Sequence, residues 1–452
     1  MQRRRSTTWA LAAVIALVVA ACGGGTTTAT TTGGADTTAA ADTTAAADTT
    51  AAADTTTASE TTASAAGDIT TDFGVDLEAG TISVGLLSDL TGPFGPLVTS
   101  IVTGHEVFWE NVNRSGGING LTVELEVRDT QYDLELHPQL YQEIKDQVVA
   151  LGHSTGSPHT MAIRGDLEAD GMLAVPLTWY SGWTDPNINA NILHHGSPYC
   201  IESMNLLGYV AGAAEEPPAT VALASVPGDY GLDGMAGAKL AVEALGLEIV
   251  YDGSGMIDPT PGADVTPIAG EIVAADPDVV FMTTTPGTLS SIYGAALASN
   301  FEAVWTGNGP NWNPGFIAPD SPIKDAIARD WIGGVYVEPW GGESAGIQEV
   351  MDLVGELRPD APPNDYYGEG FVEAQILYQA LLRAYENGDM TRAGVLAAAK
   401  SLEDVDFNGL APNETFVGEP NDQVQRVGYI FRPDPDDLAS GGTGTSVVEA
   451  EY

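Results

Sequence analysis

Positive charge is scarce in this chain: its 452 residues carry 16 Lys and Arg against 62 Asp and Glu, a formal net charge of −46. Nucleic acid and anionic membrane surfaces are polyanions, so neither is expected as a partner. An acidic surface resists aggregation and suits a salty medium, where charges further apart than about 8–10 Å are screened. On that reading the acidity is solvation and carries no information about a ligand. Cysteine is equally sparse, with only Cys22 and Cys200. If Cys22 is modified, the mature domain holds no internal disulfide, which a chain this long tolerates because its core supplies stability. Cys200 is then expected to be a buried small hydrophobe, not a nucleophile. Catalytic signatures are missing too. The six histidines (105, 137, 153, 159, 194, 195) form no His-Glu-x-x-His pattern and border no Gly-x-Ser-x-Gly elbow, and there is no phosphate loop. His153 and His159 alone do not make a metal site, and His194 and His195 on a strand would face opposite sides. No catalysis, cofactor or metal is expected.

What is present begins at the N-terminus. Arg3-Arg4-Arg5, an apolar run from Trp9 to Val19 and small residues up to Ala21 describe a secretory signal over residues 1–21. The run falls short of the roughly 20 residues a spanning helix needs. Cys22 directly after the small residues resembles the lipidated cysteine of a bacterial lipoprotein, implying an extracytoplasmic protein, periplasmic or on the outer face of the membrane, anchored by lipid at Cys22. Residues 22–78 follow as a Thr/Ala/Asp-rich tether, with Asp36, Asp42, Asp48 and Asp54 marking a repeat. With almost no large apolar side chains it cannot offset the entropy of ordering, so it is read as disordered, with a span on the order of 40 Å.

From Thr81 the pattern changes. Thr81–Leu87 reads as a buried strand, and Leu97, Ile101, Phe108 and Val112 mark one face of a helix that ends at Ser115-Gly116-Gly117. Strands are expected at 121–127, 148–152, 219–226, 247–251, 278–282 and 303–306, with helices at 232–245, 266–275 and 289–298. Thr266 is expected to cap its helix and Pro267 to open it. Residues 441–452, small or polar, are expected to fray. Apolar strands alternating with helices predict an α/β fold with parallel sheets covered on both faces.

Leu90-Thr91-Gly92-Pro93, the stretch Asn113-Arg-Ser-Gly-Gly-Ile-Asn-Gly120 with Val127-Arg128-Asp129, the turn at 226–234 and the aromatic-led segment 366–378 occur in this order. Together they resemble type I periplasmic solute-binding proteins, the branch with leucine/isoleucine/valine-binding proteins of ABC importers. The resemblance covers about residues 80–435. It implies two doubly wound parallel-sheet lobes joined by a three-crossing hinge. Lobe one is placed at 79–203 with 338–410, and lobe two at 204–337 with 411–452. A small solute would bind between them and close the hinge. The closed form would meet a membrane permease, and the protein would be a monomer.

The loop His153–Pro158 offers small hydroxyls and backbone N–H groups at a helix start, which suits an anion, although the same groups can simply cap the helix. The resemblance implies that this loop holds a ligand carboxylate, with Ser157 as best match and Ser154 and Thr155 beside it. It also implies a hydroxyl from Thr178 or Tyr180. The nearby aromatics, Trp179 and Trp183 among them, would form cleft walls or pack under a loop. Tyr230 matches an aromatic closing from lobe two, and Phe94 would cover from lobe one. Asn308 stands where related amino-acid binders carry an acid, and Thr285 where they carry an aromatic. A neutral amide does not replace a carboxylate opposite a buried amine. The expected ligand is therefore a small polar solute: an amino acid, an amide- or urea-like compound, or a small carboxylate. A ligand-sensing receptor of the same fold and a non-transport adhesive lipoprotein are the alternatives.

Overall fold

The computed structural model describes residues 69–214, 216–260 and 262–449. The signal segment, Cys22 and the tether up to residue 68 lie outside them. In chain order the elements are β1 (Thr70–Thr71), β2 (Val75–Asp76), β3 (Thr81–Ser88), α1 (Gly95–Arg114), β4 (Thr122–Asp129), α2 (Leu136–Ile144), β5 (Ala150–Ser154), α3 (Ser157–Asp170) and β6 (Leu173–Ala174). Then follow α4 (Tyr199–Ala213), β7 (Thr220–Ser225), α5 (Gly228–Leu245), β8 (Glu248–Gly253), α6 (Thr266–Ala275), β9 (Val279–Thr283), α7 (Pro286–Ala298), β10 (Val304–Gly307), α8 (Lys324–Asp330) and β11 (Trp331–Val335). The chain closes with α9 (Ala345–Leu357), α10 (Tyr366–Glu386), β12 (Asp389–Met390), α11 (Arg392–Ala399), β13 (Tyr429–Pro433), α12 (Pro435–Ser440) and β14 (Thr445–Glu449).

Two sheets result. In the first, β4-β3-β5-β6 run parallel, and β2 adds an antiparallel start to β3. The second has the order β14-β13-β11-β10-β9-β7-β8, parallel from β11 to β8, with β13 antiparallel to both its neighbours. The central strands are buried throughout, as in β9, because helices cover both faces. The chain passes from the first sheet to the second between β6 and α4. It returns between β11 and α9, where α9 and α10 pack on α1, and crosses again between α11 and β13. These are the three crossings of a doubly wound, two-lobed α/β fold.

The packing of α1 on α10 depends on two glycines. A side-chain carbon at Gly104 would collide with the carbonyl oxygen of Tyr367, and one at Gly370 with that of Ile101. Without them the helices touch backbone to backbone, which fixes their axial positions.

Several local expectations are corrected. Residues 70–76, read as tether, form β1 and β2, and Phe73 stacks 4.2 Å from the guanidinium of buried Arg392. Thr266 is the first residue of α6 rather than its cap, because Asp264 takes the Thr266 N–H at 3.0 Å. Residues 445–449 are strand β14 rather than a frayed tail, since β13 offers its free edge. Cys200 is buried in α4 as expected. Among the described residues no helix is long and apolar enough to cross a membrane.

Candidate functional site

The strand ends of both sheets open onto one cavity. On the first sheet, the turn after β3 folds around buried Asp89, whose carboxylate accepts the Gly92 and Phe94 N–H groups at 2.6 and 2.9 Å. Burial raises the Asp89 pKa against the pull of these bonds. The turn aims Phe94 into the cavity, and α1 continues the wall with Leu97, Val98 and Ile101 on successive turns.

After β5, alternation splits the hydroxyls. Thr155 lines the cavity; its Oγ1 accepts the Asp89 N–H at 3.2 Å and meets His153 Nε2 at 2.7 Å. Ser154 faces the other way, onto His137 Nε2 and Thr160 Oγ1. Gly156 has φ +97°, and the Tyr132 ring lies where its side chain would be, so only glycine fits. Ser157 then opens α3 on the cavity wall, where the first-turn N–H groups have no intrahelical acceptor. Its Oγ lies 2.5 Å from Thr178 Oγ1. Thr178 stands behind Ser157 rather than on the wall. Tyr180 and Trp183 pack on each other, with ring centroids 5.4 Å apart, also off the wall, whereas Trp179 lines it.

From the second sheet, Tyr230 near the start of α5 lines the cavity and anchors its hydroxyl on the Thr284 carbonyl at 3.0 Å. Its ring meets Tyr199 at 4.7 Å and Phe94 at 6.3 Å, joining the two halves. Thr285 caps α7 by accepting the Thr288 N–H and does not reach the cavity. Asn308 is fully buried behind the wall. Its amide donates to Glu202 Oε2 at 2.7 Å and its oxygen accepts from Thr283. Of the sequence-derived candidates, Phe94, Thr155, Ser157 and Tyr230 therefore share the wall, and Ser154, Thr178, Tyr180, Thr285 and Asn308 support it from outside.

Sequence reasoning missed the acids. Glu202, Asp365 and Glu369 line the cavity, and no Lys, Arg or His does. Burial pushes Glu202 up to about 7 and Asp365 up to about 6. Glu369 is pushed well above the carboxylate range by burial and by neighbouring Glu373, Glu202 and Asp365. In the sequence these look like ordinary acids of helix first turns. Only tertiary placement reveals them. The remaining wall is largely apolar and aromatic, with Trp312, Tyr336, Tyr366 and Phe431 from four separate segments.

One layer behind Thr155 lies a buried ionic cluster. Glu373 Oε2 accepts from His105 Nε2 and His153 Nδ1, both at 2.8 Å, and His195 Nε2 lies 3.6 Å from Oε1. Burial alone would raise Glu373, but the His153 charge and the ring hydrogen bonds outweigh it and hold it well below its usual range. His105, Glu373 and His153 are the one group among the described residues with metal-ligand types in mutual reach. Glu373 Oε2 bridges the two rings, while His105 Nδ1 and Glu373 Oε1 find no hydrogen-bond partner among the described residues.

Comparison with known proteins agrees with this architecture. Residues 81–442 match a family model described as periplasmic binding protein. A fatty acid ABC transporter substrate-binding protein from Thermomonospora curvata is 26% identical, with a TM-score of 0.77 over 85% of this chain and 95% of that one. A branched chain amino acid ABC transporter structure from Thermus thermophilus with bound valine is 18% identical, with a TM-score of 0.69 over 82% and 96%. The substrate-binding protein LivJ from Streptococcus pneumoniae in complex with isoleucine is 15% identical, with a TM-score of 0.66 over 82% and 99%. No curated protein matches. These relatives are substrate-binding proteins, not enzymes. The chain belongs to the periplasmic binding protein family, whose members work outside the cytoplasm with ABC transporters.

Proposed function

We propose that this chain is the extracytoplasmic binding subunit of an ABC importer and that its ligand is an amphipathic carboxylate with an aliphatic or aromatic body. The observation that carries this reading is the cavity itself. Hydroxyls and helix N–H groups gather at Thr155–Ser157, while Phe94, Leu97, Val98 and Ile101 offer an apolar wall. The fatty-acid binder from Thermomonospora curvata supports the same ligand class. A small, wholly polar solute would leave that wall without a partner. An apolar α-amino acid is the second reading, favoured by Glu202. This acid reaches the wall from α4 and is held by Asn308, so the carboxylate missing at position 308 is supplied by a different element.

A thermal-shift and calorimetric series tests both. Straight-chain acids from butanoate to octanoate are expected to gain about fourfold in affinity per methylene, the worth of about 0.8 kcal/mol per buried CH₂. Ligand at 100 times its dissociation constant adds about 2.7 kcal/mol of stability. Ser157→Ala is expected to weaken octanoate by about tenfold. Leucine and phenylalanine shifting the transition while acids do not would replace the first reading with the second. No shift by either class returns the chain to the receptor or adhesive alternatives.

Anchoring by lipid at Cys22, a monomeric state and delivery to a permease complete the proposal. The intact mass of membrane-extracted protein tests the anchor: a mature N-terminus at Cys22 carrying acyl mass supports it, and an unmodified one overturns it.

A further inference from the structure

The carboxylate site uses only part of the cavity's polar surface. Four other wall residues, Trp179, Ser197, Tyr336 and Glu369, are each more than nine-tenths buried, at 8%, 6%, 6% and 3% exposure. Among the described residues, Trp179 Nε1, Ser197 Oγ, Tyr336 OH and Glu369 Oε2 find no hydrogen-bond partner; Trp312 Nε1, also on the wall, finds none either but lies among the Phe316, Trp331 and Phe431 rings. The four come from separate segments, and Glu369 lies near enough to Tyr336 for its carboxyl to add to burial in pushing the Tyr336 hydroxyl up. The Trp179 and Tyr336 rings lie 5.4 Å apart. Gly196, beside Ser197, is pressed against both: a side-chain carbon there would sit 2.6 Å from Trp179 Nε1 and 3.0 Å from the Tyr336 ring. A buried polar atom without a partner is costly, and these four line one cavity that a ligand could enter.

The chemistry of the set selects its partner. An indole N–H only donates, so the ligand atom facing it is an acceptor, which a cation is not. Burial and the surrounding acids keep Glu369 protonated, making it a donor as well. With Glu202 and Asp365 on the same wall and no basic side chain, a second anion would be repelled.

Resting on the carboxylate reading above, we propose that Trp179, Ser197, Tyr336 and Glu369 form a second polar pole that binds a neutral ligand oxygen, a hydroxyl or carbonyl, so that the cavity selects hydroxy- or oxo-substituted carboxylic acids over plain ones.

The test compares octanoate with 2-, 3- and 8-hydroxyoctanoate and with suberate, by calorimetry on the whole soluble chain. At least one hydroxy acid is expected to bind tenfold or more tightly than octanoate, and suberate more weakly. Tyr336→Phe and Ser197→Ala are expected to bring that ratio toward one. Glu369→Gln, which retains a donor, is expected to preserve the preference, whereas Glu369→Leu is not. Melting curves confirm that each variant is folded. If octanoate binds but no hydroxy acid is preferred, ordered water satisfies these atoms and the second pole is refuted. If Tyr336→Phe weakens octanoate as much as the hydroxy acids, the pole belongs to the carboxylate itself and the proposal also fails. If no acid binds at all, the carboxylate reading is what falls.

Discussion

Glu373 joins segments far apart in sequence through contacts to His105, His153 and His195. Breaking a buried pair leaves a charge without compensation, at a cost of about 3–5 kcal/mol. Glu373→Gln is therefore expected to lower stability in urea unfolding by about that amount. Because His153 also orients Thr155 at the cavity, ligand affinity is expected to fall in the same variant even at temperatures where it is fully folded. At this scale sequence reading was least informative. Phe94, Thr155, Ser157 and Tyr230 lie on the cavity wall because a loop after a strand end has only a few side chains to offer. Thr178 and Asn308 lie one layer behind that wall. A residue number does not tell which side of a buried wall a side chain takes. Glu202, Glu369 and Glu373 could not be found by pattern, since an acid on a helix is usually solvated.

At the level of elements, the alternation of strands and helices was legible because a doubly covered parallel strand must be apolar along its whole length. Helix starts were less so. α5 begins at Gly228 and α7 at Pro286, each earlier than expected, because glycine and proline read as turn residues while also opening helices. β14 is not legible in the sequence, since its partner β13 lies beyond the short helix α12 and its own residues are few and mostly polar. Thr285 gives this scale its test. Its hydroxyl accepts an α7 N–H, so Thr285→Ala is expected to lower stability by about 1 kcal/mol and leave ligand affinity unchanged. A loss of affinity in that variant would return Thr285 to the binding site.

For the whole molecule, the buried carboxyls set the response to pH. Glu414, bonded to the Gly196 N–H, is pushed by burial up to about 8, and Glu202 up to about 7. Between about 4.5 and those values the folded chain keeps protons that the unfolded chain has released, so stability falls as pH rises through the window. The buried His137 and His194, lowered to about 3 mainly by burial, act oppositely, but only below about 6.5. From pH 6.5 to 8.5 the carboxyls act alone. Denaturant unfolding is expected to lose about 3 kcal/mol over that range, and Glu414→Gln to flatten the curve. A rising curve would mean that these acids meet water or a counter-charge in solution.

The glycine crossing of α1 and α10 bears on how this cavity changes over evolutionary or laboratory selection. Leu97, Val98 and Ile101 sit on the same helix as Gly104, and Tyr366 and Glu369 on the same helix as Gly370. Because the two backbones are locked together at the glycines, side chains on either helix can be exchanged without shifting the frame that carries them. A library selected for a new ligand is thus free to vary at 97, 98, 101 and 369, while 104 and 370 stay glycine. Ligand preference becomes a property of a few replaceable side chains on an invariant crossing.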